Sequence, residues 1–232
     1  MAAMEVEPVS IAVGDVTVSG LLAAPPDARA CYVLAHGAGA GMAHPFLAGI
    51  AGDLFERGIA SLRYQFPYRE AKRRRPDPPA IAEAAVAAAV EEAARRMRGT
   101  PLVAGGKSFG GRMTSQAQAA GKLPGVRGLA FLGFPLHPPG KPSDARGEHL
   151  SRVTVPMLFL QGTRDEFAEL KWLEPLCERL KPLATLRLVD DADHSFHVPA
   201  QSGRKDAEVR AELADILAAW IKAVVDGRSS LP

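Results

Sequence analysis

The chain has 232 residues, of which 47% are hydrophobic and 23% are charged, which places it among ordinary globular proteins. Its formal net charge of +2 is too small to indicate a nucleic-acid or membrane partner. This length suffices for one large hydrophobic core, so we expect a single domain over residues 1–232.

The N-terminus and the cysteines bear on the cellular compartment. The start, MAAMEVEPVS, has neither the basic nor the apolar stretch of a secretion signal. Cys31 and Cys177 show no CxxC or metal-ligand spacing, so we expect buried or free thiols in a reducing environment. The most apolar long run, 80–94, is broken by three glutamates and predicts a helix of a soluble protein rather than a membrane span. We therefore expect a cytoplasmic protein, of unknown oligomeric state.

Apolar runs alternate with helical patterns along the chain. Two β-rich runs, 9–13 and 16–23, predict an antiparallel hairpin. Further strands are expected at 30–35, 59–64, 102–104, 126–131, 156–161 and 185–189. Helices are expected at 45–57, 80–98, 112–120, 168–180 and 206–225, and proline-rich loops at 65–79 and after 131. This alternation predicts an α/β fold with a mostly parallel sheet, helices on both faces and ligands beyond the carboxyl ends of the strands.

The segment Gly106-Lys107-Ser108-Phe109-Gly110 fits the pattern G-x-S-x-G between a predicted strand and a predicted helix. A nucleophile elbow requires this context, with the serine at a strained turn and the two outer glycines against neighbouring backbone. A phosphate-binding Walker loop is excluded because Pro101 stands where that motif needs a glycine. Taken alone, the motif also fits an ordinary serine in a glycine-rich turn.

An acid and a histidine follow Ser108 in the order nucleophile, acid, base that is found in hydrolases with a nucleophile elbow. Asp165 comes just after the strand 156–161, and His194 comes just after the strand 185–189. Serine is a weak nucleophile, so a histidine must take its proton while a carboxylate holds the imidazole. An aspartate in a turn also bonds its own backbone, which would give Asp165 a purely structural role. Nearby residues that could replace this pair are Glu166, Asp190, Asp191 and Asp193 as the acid and His197 as the base.

The transition state of acyl transfer carries an oxyanion, which needs backbone N–H donors. One donor is expected from Phe109, directly after the serine, and the other from the loop HGAGAGM that follows the strand 30–35. We predict Ala38 as that second donor, ahead of Gly39, and expect His36 to brace the loop. Because the Asp165 carboxylate stabilises an imidazolium, we also expect the pKa of His194 to be raised above its ordinary ~6.5.

Four motifs in register make a resemblance specific, namely HGAGAGMAHPF, GGKSFGGR, GFPLHPPGKP and LQGTRDEF. Together they resemble the α/β-hydrolase-fold family of testis-expressed protein 30-like proteins, which is related to the NSL chromatin complex subunit 3. The resemblance covers about residues 30–200. More loosely, the chain is similar to dienelactone hydrolases, which use cysteine where this chain has Ser108. The resemblance implies a compact hydrolase fold with Ser108, Asp165 and His194 as the triad, and it implies no substrate.

Two loops are candidates for shaping specificity. The basic stretch 68–75 is predicted to lie near a strand end, where it would receive an acidic acyl or alcohol group; its alternative is a solvated charged face. Tyr68 and Arg69 of this stretch, together with Gly39, are candidates for substrate contact. Leu136 opens a rigid proline-rich loop that is either a pocket wall or a simple connection. No insertion of lid size follows the strand 126–131, which favours small esters over long lipids.

The predicted function is a serine hydrolase of carboxylesterase or thioesterase type, acting on a small-molecule ester or thioester. Nucleophile, base and oxyanion donors all come from the chain, so we expect no metal and no organic cofactor. The alternative is a non-catalytic binding or scaffold protein on the same fold, because fold alone does not fix function.

Overall fold

A mixed eight-stranded sheet forms the centre of the computed structural model, which describes residues 4–227. The strands are β1 (Val6–Val13), β2 (Val16–Ala23), β3 (Ala30–Ala35), β4 (Ile59–Tyr64), β5 (Leu102–Lys107), β6 (Val126–Leu132), β7 (Met157–Gly162) and β8 (Ala184–Val189). Their order across the sheet is β1-β2-β4-β3-β5-β6-β7-β8. Only the hairpin at one edge is antiparallel, through the pairs β1–β2 and β2–β4. The expected mostly parallel sheet with an N-terminal hairpin is therefore confirmed.

Helices connect the parallel strands. They are α1 (Pro45–Glu56), α2 (Pro67–Glu70), α3 (Pro79–Arg96), α4 (Phe109–Ala119), α5 (Leu170–Arg179) and α6 (Asp206–Val225). Two short 3-10 helices lie at Ala145–Arg152 and Ala200–Ser202. Two segments predicted as plain loops thus contain short helices, α2 in the first and Ala145–Arg152 in the second. Proline-rich stretches still permit single turns, because Pro67 at the start of α2 needs no backbone N–H there.

The hydrophobic core lies on both faces of the sheet, and β3 shows why its sequence is a continuous apolar run. Cys31 and Val33 face one layer, which includes α3 and α4, while Tyr32 and Leu34 face the other, which includes α1 and α6. Every residue of β3 is buried. A strand covered on both faces has no solvent side, so hydrophobic and polar residues do not alternate along it.

The free cysteines and the long helices agree with the sequence expectations. Cys31 and Cys177 are both free thiols and both buried. The alanine-rich run forms α3 and packs against the sheet with Ala85, Ala89 and Ala93 buried. Among the helices of residues 4–227, we find none that combines the length and the apolar character needed to cross a bilayer.

The parallel register places the loops that carry the candidate residues together at the carboxyl ends of the strands. Ala35 at the end of β3 pairs with Gly106, and Lys107 at the end of β5 pairs with Leu132. Farther along, Gly162 at the end of β7 pairs with Val189 at the end of β8. The loops after β3, β5, β6, β7 and β8 therefore leave the sheet side by side, as ligand sites in such sheets require.

Candidate active site

Ser108 occupies the turn between β5 and α4 in a backbone conformation that side chains rarely adopt, with φ 50° and ψ −117°. A Cβ built on Gly106 would stand 2.3 Å from the Ala35 carbonyl oxygen, and one built on Gly110 would stand 2.6 Å from that of His36. No backbone tolerates such contacts, so both positions need glycine. The predicted strained elbow with glycine clearance on both sides is confirmed.

Three side chains form a continuous hydrogen-bonded chain at this turn. The Ser108 Oγ and the His194 Nε2 are 2.8 Å apart, and the His194 Nδ1 and the Asp165 Oδ2 are 2.7 Å apart. The imidazole is half-buried and the carboxylate is fully buried. A carboxylate only accepts hydrogen bonds, so the Nδ1–H donates to Asp165 and the neutral ring leaves Nε2 free to accept from the serine hydroxyl. The structure brings together the three residues that the chain order predicted.

The Asp165 carboxylate is held by two further donors. The Gln161 side-chain amide donates to Oδ2 at 2.5 Å, and the Phe167 backbone N–H donates to Oδ1 at 2.8 Å. Gln161 also accepts from the Phe134 backbone N–H at 2.9 Å, which fixes the loop after β6. Gln161 was missed in the sequence, although a polar residue closing the apolar strand MLFLQ is a usable signal.

The competing acids and the competing base have other positions. Glu166, Asp190 and Asp191 are exposed, and Asp193 accepts the backbone N–H groups of two residues within its own turn. His197 is exposed and pairs with Asp206 at the start of α6, with Nδ1 2.9 Å from the carboxylate. In this structure it is His194, not His197, that reaches Ser108.

The pKa of His194 is lowered from its ordinary 6.5, contrary to the expectation from Asp165 alone. Burial of the ring is the largest cause, and the positive charge of Lys107 adds to it. The hydrogen bond and the charge of Asp165 act in the opposite direction but do not outweigh desolvation. Phe167 contributes to the burial, because its ring stacks on the imidazole with the centroids 4.2 Å apart. The histidine is therefore uncharged at neutral pH.

Two backbone N–H groups beside Ser108 have no hydrogen-bond partner within residues 4–227, those of Ala38 and Phe109. The N–H of Gly39, by contrast, donates to the Tyr68 hydroxyl at 2.8 Å. Of the two candidate donors named from the sequence, Ala38 is therefore the one whose N–H is free.

His36 joins the loop after β3 to the segment after β4. Its Nδ1–H donates to the Gly37 carbonyl at 2.7 Å, and its Nε2 accepts from the Phe66 backbone N–H at 3.2 Å. Burial lowers the pKa of His36 to about 4, so the ring stays neutral. His36 is completely buried, and these contacts make it a structural brace, as the sequence suggested.

A cavity of about 290 Å³ opens beside Ser108 and His194. Its larger apolar and polar lining residues are Phe46, Leu47, Phe167, His44, Lys107 and Ser195. Ala38 also lines it, which puts the predicted oxyanion donor next to the serine. Across the described part of the chain, no three His, Cys, Asp or Glu side chains cluster as metal ligands do.

The residues predicted to contact substrate do not line this cavity, which corrects that part of the sequence interpretation. Tyr68 and Leu136 are fully buried, the former because its hydroxyl supports Gly39 and the latter because it packs in the core. Gly39 and Arg69 also lie outside the lining; the Arg69 guanidinium points to the Ala40 carbonyl oxygen at 3.5 Å. Tyr68 and Arg69 thus support the loop after β3, to which Gly39 belongs, rather than face the serine.

Comparisons with known proteins place these features in a wider group. The sequence model of a family described as "Alpha/beta hydrolase domain" matches residues 28–222. Among solved structures, a dienelactone hydrolase from Anabaena variabilis is similar with a TM-score of 0.78 and 21% identity, over 94% of this chain and 97% of that one. A lidless α/β serine hydrolase from Xanthomonas campestris matches with a TM-score of 0.73 and 21% identity, over 95% and 97% of the two chains. An esterase domain from a Rhodothermus marinus protein matches at 0.72 and 16%, over 96% and 99%. These likenesses confirm the expected fold with little or no cap.

Proposed function

Since this chain belongs to the alpha/beta hydrolase domain family, we propose that it is a serine hydrolase that cleaves small carboxylic esters or thioesters. The observation that carries the proposal is the unbroken chain of hydrogen bonds from Ser108 through His194 to Asp165 at a strained elbow. A turn with an ordinary serine needs neither the strain nor the buried carboxylate. The strained backbone and the buried carboxylate both cost free energy, so their presence at one place supports a functional site rather than an ordinary turn.

The geometry suits nucleophilic acyl transfer. As the Ser108 Oγ attacks the carbonyl carbon, the His194 Nε2 takes the hydroxyl proton, and Asp165 stabilises the imidazolium that forms. The histidine then gives this proton to the departing alcohol or thiol, and water hydrolyses the acyl-enzyme in a second round with the same base. The lowered pKa of His194 favours this cycle, because the ring is already neutral when the substrate binds.

The oxyanion of the tetrahedral intermediate is assigned to the free N–H groups of Ala38 and Phe109. Donors fixed before reaction are worth several kcal/mol at such a site, because they need no reorganisation when charge develops. The contact from Tyr68 to Gly39 and the His36 brace hold the loop after β3 in one shape. The proposed reaction needs no metal or organic cofactor, since nucleophile, base and donors all come from the chain.

The cavity supports a small, uncharged substrate. Its volume of about 290 Å³ lies near the lower end of ligand pockets, which span about 300–1,000 Å³. Its apolar lining comes from Phe46, Leu47 and Phe167, and among residues 4–227 no arginine lines it. The Lys107 ammonium already donates to the His194 carbonyl. We therefore propose short acyl groups without a carboxylate, rather than the acidic substrates that the basic stretch suggested.

The four sequence motifs support a finer proposal, that the chain is related to the testis-expressed protein 30-like hydrolases. GGKSFGGR forms the elbow and LQGTRDEF contains both Gln161 and Asp165. HGAGAGMAHPF supplies the loop after β3 together with Phe46 of the cavity. These three motifs thus coincide with the parts of the site that contact one another.

A fluorophosphonate probe tests the proposal directly, followed by turnover of p-nitrophenyl esters of increasing chain length. We expect wild-type labelling that is lost in Ser108→Ala, and turnover that is highest for short acyl chains. Ser151→Ala, on the exposed 3-10 helix, is the matched control and should label normally. Labelling that persists in Ser108→Ala means that another serine reacts. Absence of both labelling and turnover favours a binding protein on a hydrolase fold.

A further inference from the structure

Lys107, directly before the nucleophile, has no part in the acyl-transfer steps, yet its side chain reaches into the centre of the site. Its ammonium donates a hydrogen bond to the His194 backbone carbonyl oxygen at 2.5 Å. The same group lies 5.4 Å from the centroid of the Phe196 ring, within the range of a cation–π contact. Lys107 thereby joins the elbow to the loop after β8 that carries His194.

Gly133, the first residue after β6, shows how close the ammonium lies to the hydrogen bond between Asp165 and His194. A Cβ built on this glycine would stand 2.9 Å from the Lys107 Nζ. The same Cβ would stand 3.4 Å from both the Asp165 Oδ2 and the His194 Nδ1. One small vacant volume therefore touches all three groups, so the lysine charge acts on the histidine at short range.

Two loops contribute the charged and titratable groups that face Lys107. Asp165 comes from the loop after β7, and Asp193 and His194 come from the loop after β8. Burial lowers the pKa of Lys107 to about 8, against the opposing effect of the two aspartates. The ammonium is thus mostly charged at neutral pH and fully charged in the acid range where His194 titrates.

We propose that Lys107 is a positioning residue that anchors the backbone of His194 to the nucleophile elbow and, by placing a positive charge beside the buried imidazole, helps to keep it uncharged. This inference rests on the proposed hydrolase function for its kinetic consequence, whereas its electrostatic part concerns the resting protein. Removing the ammonium would let the imidazole take up a proton more readily, because burial alone would then oppose the effects of Asp165 and Asp193.

The test compares Lys107→Met, which removes the charge but keeps a long chain, with Lys107→Arg, which keeps the charge. The His194 ring is titrated by NMR in each variant, and its signals are assigned by their loss in His194→Gln. We expect the pKa of His194 to rise by about one unit in Lys107→Met and to stay near the wild-type value in Lys107→Arg. Lys122→Met, which removes a surface lysine paired with Glu83, is the charge-matched control and should leave the titration unchanged.

Two titration results overturn the proposal. An unchanged pKa in Lys107→Met shows that the ammonium does not act on His194, and an equal rise in Lys107→Arg assigns the effect to packing rather than charge. Thermal unfolding of each variant is recorded alongside, so that a folding defect is recognised. Neither result depends on turnover, so the outcome is separate from the success or failure of the proposed function.

Kinetics test the anchoring part. With p-nitrophenyl acetate we expect Lys107→Met to lose about tenfold in kcat with KM nearly unchanged, and its acid limb to move to higher pH by the same amount as the NMR titration. A rise in KM with kcat unchanged would mean that Lys107 binds substrate instead. Inactive wild-type protein would refute the proposed function while leaving the NMR comparison intact.

Discussion

The loop after β8 carries two histidines, three residues apart, and each contacts an aspartate from another part of the chain. The two pairs have similar contact distances but differ in burial and in the direction of the histidine pKa shift. His194 is 2.7 Å from Asp165, and His197 is 2.9 Å from Asp206. The imidazole of the first pair is 19% exposed and that of the second is 64% exposed. The pKa of His194 is lowered, whereas Asp206 raises the pKa of His197. A carboxylate partner thus does not decide the charge of a histidine; its access to water does.

A serine–histidine contact elsewhere in the chain shows what a catalytic pair needs besides proximity. The Ser115 hydroxyl oxygen on α4 lies 2.7 Å from the His149 Nε2, as close as the 2.8 Å between Ser108 and His194. The Ser115 hydroxyl, however, also lies 2.8 Å from the Arg112 carbonyl oxygen and donates its proton there. Within residues 4–227 no carboxylate hydrogen-bonds to His149, and burial and nearby arginines lower its pKa to about 4. Proximity without a free hydroxyl and an orienting acid makes a structural contact, not a nucleophile.

The largest effect that separates the two histidine–aspartate pairs is on turnover. Replacing His194 by Gln removes the base from Ser108, and we expect kcat for p-nitrophenyl acetate to fall by about 10⁴-fold or more. The matched variant, His197→Gln, removes an equivalent ring from the exposed pair and should stay within about twofold of wild type. Equal losses, or the reverse order, would show that the assignment of the base is wrong.

A smaller effect is expected at the residue that supports the acid. Gln161→Leu deprives Asp165 of a donor and leaves the buried Phe134 N–H without its acceptor. We expect a loss of about 1–3 kcal/mol in the free energy of unfolding and about tenfold in kcat, measured by urea denaturation and ester turnover.

Gln118→Leu on α4 is the control for this variant, because within residues 4–227 the side-chain oxygen of Gln118 has no hydrogen-bond partner to lose. Unchanged stability and kcat in Gln161→Leu would show that the carboxylate is held by its other contacts alone.

The pH profile sharpens the comparison further. His194 acts only when neutral, and its lowered pKa places the loss of kcat/KM on acidification below pH 6.5. Phe167→Ala exposes the imidazole face to water, so desolvation weakens and the pKa of His194 should move up towards its ordinary value. The acid limb of kcat/KM should follow. A wild-type midpoint above 6.5 would mean that the carboxylate outweighs burial after all.

The smallest effect belongs to the exposed pair. Asp206→Asn should return the pKa of His197 to its ordinary range in an NMR titration and leave ester turnover unchanged. A raised histidine pKa stabilises the fold at low pH, and this stabilisation disappears as the pH rises through that pKa. Because both side chains are well exposed, the variant should alter unfolding only slightly in mild acid. A clear loss of turnover would place this pair in the reaction.

The sequence predicted those features that depend on local chain chemistry. The elbow depends on a short segment of chain, in which Gly106, Ser108 and Gly110 predict both the turn and the steric clearance that it needs. The strand ends followed from the alternation of apolar runs, and the acid and the base were then found at those ends in the order that hydrolases with a nucleophile elbow use. Helix ends were within about three residues, apart from short helices inside proline-rich loops where no periodic pattern exists.

What the sequence did not reveal depends on contacts between distant segments. Lys107 is 87 positions from His194, and its role is visible only once both loops leave the same edge of the sheet. The direction of the His194 pKa shift was predicted wrongly because the sequence identifies the aspartate partner but does not show that Phe167 buries the imidazole. Tyr68 was misassigned for the same reason, since its hydroxyl supports the loop after β3 from behind.

The left-handed backbone of Ser108 has a consequence for anyone who evolves this protein in the laboratory. A residue with φ 50° is held there by its surroundings, and glycine relaxes that conformation at no steric cost. A selection for heat resistance or expression alone therefore favours replacement of Ser108 by glycine, because glycine is the least strained residue at this turn and lacks the nucleophilic hydroxyl. Libraries built on this scaffold should keep codon 108 fixed.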